Sequence, residues 1–226
     1  MNWLHYLLEA NVYLAVFYLL YYILLAKETH YRLNRIYLLT TCIIAYIIPF
    51  FQLGFLKPVM NTGATVATII INHSAKAGAV KPFELHWQDL LIYGYIVGAA
   101  VTLVVFGIKI ARLVRMMSAE KHPLHDKYKV IRLENSNTAF SFFNYVFIGT
   151  NVSGAETVIR HELVHISQKH SADILFLELF KVTGWFNPFI YLLYRSLKTG
   201  HEYIADEHAA AFENDTLAYS PLLVSN

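Results

Sequence analysis

Residues 173–198 read DILFLELFKVTGWFNPFIYLLYRSLK, and the fold turns on whether this stretch crosses a bilayer or folds back on itself. At about 1.5 Å per residue it is long enough to cross roughly 30 Å of hydrocarbon. Glu178, Lys181, Gly184, Asn187 and Pro188 interrupt it, and Asn-Pro after Gly-Trp-Phe favours a turn between two helices. The flanks weigh on the same choice: RHELVHISQKH stands upstream at 160–170, and HEYIADEH follows at 201–208.

In the upstream piece, Ser153 can cap a helix with Glu156 as its capping-box partner, and that helix is expected to run to about His170. His161 and His165 then sit one turn apart on one face, the spacing that lets two imidazoles reach one tetrahedral ion. Glu162 is placed to hold the attacking water, and Val158, Ile159, Leu163, Val164 and Ile166 give the pair apolar neighbours. A third ligand is needed. His170 points away around the helix and Asp173 lies about 12 Å along its axis, so neither closes on the same ion. Gln168 and Ser171 stand where the longer metzincin motif would place its glycine and third histidine.

That leaves the downstream piece. Glu202 and Asp206 share a helix face at i, i+4, so one can ligate while the other orients a ligand from behind. Glu202 is the favoured third ligand, because a His2Glu set leaves a position for water; His201 and Asp206 are the alternatives. If residues 173–198 crossed the membrane, His165 and Glu202 would lie about 30 Å apart, whereas the ligands of one zinc lie within about 2.0–2.2 Å of it. A helical hairpin is therefore expected, its aromatic residues packed in the domain or against the membrane surface.

The rest of the chain is membrane-like. Of its 226 residues 56% are hydrophobic and 15% charged, too apolar for an ordinary soluble domain, so a lipid bilayer is the first partner. Apolar runs at Trp3–Leu25, Ile36–Leu56 and Leu90–Ile110 read as three transmembrane helices; a signal peptide is disfavoured because no basic segment precedes the first. Gly94, Gly98 and Gly107 in the third run suit either a close helix neighbour or lipid. Lys27, Arg32 and Arg35, then Lys109, Arg112, Arg115 and Lys121, place those connections in the cytoplasm and the N-terminus outside. The segments are 1–112, a three-helix membrane region with an extracytoplasmic loop at about 57–86, and 113–226, a cytoplasmic domain. Net charge is only +2 without a basic face, which argues against direct nucleic-acid binding, and the single Cys42 excludes an internal disulfide framework. Within 113–226, YKVIRL and TAFSFFNYVFIG have strand composition. His122 and His125 flank Pro123 and read as solvated loop residues.

Three N-terminal helices, TAFSFFNYVFIG, RHELVHISQKHSADILFLELFKVTGWFNPFIYLLYRSLK and HEYIADE together resemble the BlaR/MecR-type bacterial membrane zinc metallopeptidases, the antirepressor and beta-lactam-sensor group. HExxH, WFNP and ExxAD in one chain are far more specific than any one alone. The resemblance implies a mainly α membrane protein, with three transmembrane helices followed by a small α+β gluzincin-like zinc metallopeptidase domain with a helical hairpin. It implies Zn2+ held by His161, His165 and Glu202, Glu162 as catalytic base, and Asp206 behind the ligands. It further implies a multi-pass protein of the bacterial inner membrane with a cytoplasmic active site, cleaving a protein or peptide substrate such as a repressor in signal transduction. Members continue into a further transmembrane helix and a sensor; this chain ends at Asn226, so a fragment or short form is expected and the beta-lactam ligand is not carried over. Two other classes compete: a non-catalytic, zinc-stabilised membrane signalling or scaffold protein, and, less well supported by the few ionisable groups in the membrane runs, a small-molecule transporter.

Overall fold

The structure, a computed structural model, describes residues 3–51, 87–118, 122–125 and 128–224, the side chains of 4, 87–88, 122–125 and 211–224 excepted. The expected loop at 57–86 lies outside the described residues. The architecture is mostly helical with one small sheet. Helices α1 (Trp3–Leu24), α2 (Tyr31–Ile47) and α3 (Trp87–Met117) supply three segments long and apolar enough to cross a membrane: His5–Leu24, Tyr31–Phe51 and Asp89–Met117. Helix α2 starts a turn before its apolar run, so Arg32 and Arg35 are helical, and Pro49 falls in the 3-10 turn Ile48–Phe51 that follows it. Val97, Val101, Val104 and Val105 on α3 are exposed, the surface lipid would cover.

Strands β1 (His122–His125), β2 (Tyr128–Leu133), β3 (Ala139–Phe142) and β4 (Tyr145–Gly149) form one sheet in the order β1-β2-β4-β3, in which only the β2–β4 pair is parallel. His122 and His125 are therefore strand residues, not loop residues. Val130, Val146 and Ile148 on one face pack against Ile159, Leu163 and Ile166 of α4 (Ala155–Ser167), which seats the HExxH helix on the sheet. Ser153 does not cap α4. Gly154, left-handed at φ 67°, occupies that position without a side-chain bond, and Glu156 pairs with Arg160 one turn on. The helix also stops at Ser167 and not at His170, because Lys169 turns left-handed (φ 57°) and redirects the chain into α5 (His170–Thr183).

After α5, Gly184–Asn187 turn and α6 (Pro188–Val224) runs back. The hairpin read from residues 173–198 is present, with Phe176, Phe180, Phe189 and Tyr194 packed against a core shared with α1 and α2 and Phe186 and Tyr191 exposed. Leu177 of α5 and Ile190, Leu193 and Leu197 of α6 share one core with Leu14, Tyr18 and Tyr21 of α1 and Leu38, Cys42 and Ala45 of α2. The polar groups that break the apolar run are the ones that dock it, since lipid offers them no partner. Asn187 Nδ2 donates to Asn11 Oδ1 at 2.7 Å, Tyr95 Oη to the Thr183 carbonyl at 3.0 Å, and Trp185 Nε1 to the Tyr95 carbonyl at 3.3 Å. Lys181, nearly buried, pairs with Glu178 at 2.8 Å and lies 3.7 Å from the Tyr194 ring centre, while Glu178 also reaches Lys109 of α3.

One glycine on α3 makes the docking possible. A Cβ built on Gly98 would run into the Trp185 indole, whereas Gly94 and Gly107 meet nothing within 4 Å. Of the two readings of these glycines, close approach holds at Gly98. Gly98→Leu is expected to lower the stability of the detergent-purified chain by about 1–3 kcal/mol through overpacking. Gly107→Leu should stay within about 0.5 kcal/mol of wild type, as a substitution into open surface. Equal unfolding temperatures for the two variants would refute the docking of Trp185.

Candidate metal centre

Because α4 lies on the sheet with its histidine face turned towards α6, His161 and His165 meet the returning helix at Glu202. Their ring nitrogens Nε2 are 3.2 Å apart, and Glu202 Oε2 lies 3.5 Å from the first and 3.7 Å from the second. The three ligand atoms all fall within 4.8 Å of one another. Four ligands at about 2.0–2.1 Å around a tetrahedral ion stand about 3.3 Å apart, so this triangle has the size that zinc requires. Of the three candidates for third ligand, Glu202 faces the pair. His201, buried on the same helix, turns away to bond Asp173 at 2.9 Å. Asp206 Oδ1 lies 3.2 Å from His161 Nδ1, behind that ligand, where it can accept the ring proton and fix the tautomer that leaves Nε2 free.

His165 is braced from behind as well, by a residue the sequence reading set aside. His170 lies past the break at Lys169, and its Nδ1 is 2.7 Å from Nδ1 of His165. Ligation through His165 Nε2 keeps the proton on its Nδ1, which donates to His170 and leaves the His170 proton on Nε2, a buried atom with no partner among the described residues. Burial, with His201, His165 and Arg35 nearby, pushes the His170 imidazole down to about 3, so it is neutral. Burial likewise holds His165 below its ordinary value against the pull of Glu202, which favours the neutral form that binds metal. The ring of His170 stacks on His201 at 3.8 Å between centres. The local signal for His170 was absent, because a histidine five residues after another on a continuous helix faces elsewhere; only the left-handed Lys169 brings it back.

Glu162, 8% exposed, stands beside the pair. Burial pushes its carboxyl up, a hydrogen bond from Ser141 and the nearby His161 pull it down, and Glu202 adds to the rise; the net shift is upward, towards a stronger base. It opens on a cleft of about 350 Å³ walled by β3 on one side and by Ile174, Tyr194 and Lys198 on the other. Strand β3 bonds β4 along one edge and lines this cleft with Ala139 to Phe142. Glu162, His165, Glu202 and strand β3 thus line one cleft.

Residues 146–225 match the family described as BlaR1 peptidase M56, in agreement with the resemblance drawn from the motifs. No curated protein matches the chain.

Purified in detergent, the full chain is expected to carry about one zinc, and His161→Ala or His165→Ala to lose it, since either leaves an incomplete set. Asp206→Ala keeps all three ligands and should weaken zinc about 10–100-fold in competition with a chelator. Wild-type affinity in Asp206→Ala would remove its supporting role.

Proposed function

We infer, from the peptidase family matched over residues 146–225 and the His161, His165 and Glu202 triangle, that this membrane metallopeptidase is a zinc endopeptidase cleaving a protein substrate. The observation that carries the reading is the return of Glu202 to the histidine pair beside a buried, up-shifted Glu162. Bound by His161, His165 and Glu202, zinc would supply Lewis-acid activation of water and of the scissile carbonyl. The remaining steps belong to the chain. Glu162 accepts a proton from the attacking water and passes it to the leaving amine, and the Ser141 hydroxyl orients its carboxylate. Asp206 and His170 hold the two imidazoles in place while this happens. An extended substrate segment adds along the cleft edge of β3, where backbone pairing aligns the scissile bond regardless of sequence. Phe140, Phe142, Ile174 and Tyr194 favour large apolar side chains next to that bond.

The positive charges around α2 and at the end of α3 support a cytoplasmic site with the N-terminus outside, in the bacterial inner membrane. Arg35 at the α2 end of the bundle touches the site region through Gln168, so the cleft lies on the side of those charges. A cytoplasmic regulator, of antirepressor-controlled type, is the substrate class that this orientation and the family support. A reporter fused near Lys121 should behave as cytoplasmic and one between Thr62 and Ala79 as external; the reverse would discard cytoplasmic substrates.

The decisive experiment separates Glu162 from the ligands. Glu162→Gln is expected to keep zinc and fold but lower cleavage of a co-expressed substrate at least about 10²-fold, as removal of a general base does. Full proteolysis in Glu162→Gln would remove the catalytic assignment. Intact signalling output with no proteolysis in wild type would establish a zinc-stabilised scaffold instead.

A further inference from the structure

The geometry points to Arg35, on membrane helix α2, as a positioning residue of the metal centre, acting with Asp173 and His170 so that the seating of α2 sets how tightly the site holds its metal. The inference rests on the zinc-site reading and extends it to how the site is controlled.

Arg35 reaches two groups at the corner between α4 and α5. Its Nε lies 2.6 Å from Asp173 Oδ2, and its Nη2 donates to the Gln168 carbonyl at 2.7 Å. Gln168 is the residue that ends the metal-ligand helix, and Asp173 stands in the first turn of the next. One guanidinium therefore ties both arms of a corner made by the left-handed Lys169 and also spanned by the His165–His170 contact. From the corner the contacts continue inward. The same Asp173 oxygen accepts from His201 Nε2 at 2.9 Å, His201 lies flat on His170, and His170 braces His165 at 2.7 Å. The chain of contact runs from a membrane helix to a metal ligand without a gap.

Its construction favours a positioning role over a merely stabilising one. Asp173 and Arg35 are largely buried charges, and such pairs return little net stability for their desolvation, so what they hold in place matters more. Among the described residues His170 Nε2 is buried without a partner, a cost that the bond from Nδ1 to His165 explains. Asp206 braces the other histidine from α6, so the two histidines are held by different elements, and the His165 brace is the one that Arg35 reaches through Asp173, His201 and His170.

The test is Zn2+ affinity of the full chain in nanodiscs, by chelator competition, beside the unfolding temperature of the metal-free protein. Arg35→Lys keeps the charge opposite Asp173 but cannot make both contacts. His170→Phe keeps an aromatic ring to stack on His201 and removes the ring nitrogens, Nδ1 facing His165 and the buried Nε2. Both should bind Zn2+ about 10–100-fold more weakly than wild type with little change in metal-free unfolding, and Asp173→Asn should fall in the same range. Arg32→Ala, on the same helix and exposed against His208, should bind as wild type. Wild-type affinity in both Arg35→Lys and His170→Phe overturns the inference. So does a loss of affinity that only tracks a fall in metal-free stability. A wild type that binds no Zn2+ refutes the site reading itself, which separates the two failures.

Discussion

The structure depends on one closure: two histidines of α4 and a glutamate of α6 must meet within 4.8 Å, although the chain between them runs through α5 and the hairpin turn. That requirement forbids residues 173–198 from ending on the far side of a bilayer. It leaves a hairpin, and a hairpin of this apolarity is stable only where apolar neighbours cover it. The neighbours are α1, α2 and α3. The peptidase region is thus built through the membrane region, with the Leu177, Ile190, Leu193 and Leu197 side chains sharing a core with α1 and α2. One core is thus shared between the segments 1–112 and 113–226, while the sheet and α4 form a second core within 113–226.

Placing a hairpin tip among membrane helices sets a second condition, because Asn187, Thr183 and the backbone of the turn cannot be left unpaired in hydrocarbon. Each is answered by a group on a different helix: Asn11 on α1, Tyr46 on α2 and Tyr95 on α3. Apolar packing alone would tolerate sliding of the hairpin; directional bonds to three helices do not. The register of α6, and with it the height at which Glu202 faces α4, is fixed from the far end of the hairpin. A ligand spacing of a few ångströms is held by contacts about four turns of helix away.

Much of this was legible in the residues. HExxH needs only the helical period to put His161 and His165 on one face, and the incompatibility of a membrane crossing with shared ligation selected the hairpin without tertiary information. YKVIRL and TAFSFFNYVFIG declared their strands by β-branched and aromatic content, and β2, β3 and β4 lie there. The misses are tertiary in origin. Lys169 adopts a left-handed backbone that no local propensity announces, and a continuous helix through it turned His170 away from His165. Gly154 starts α4 where Ser153 was the better cap by composition. Arg35 read as a topology signal, because nothing near it in sequence reveals a carboxylate 138 positions downstream.

That double use of Arg35 has a physical logic. A positive residue near the end of an apolar helix favours the membrane edge whatever it touches, so its position costs the fold little. Once there, a guanidinium offers donors in a rigid fork, and a second helix end with an open carbonyl and a carboxylate is a matching partner. A lysine at the same depth would satisfy topology but present a single point of charge to two groups. The side chain is in this way able to define the angle between α4 and α5. Helix α2 thus meets the site from two sides, through Arg35 at the α4–α5 corner and through its packing along α6, the helix that carries Glu202.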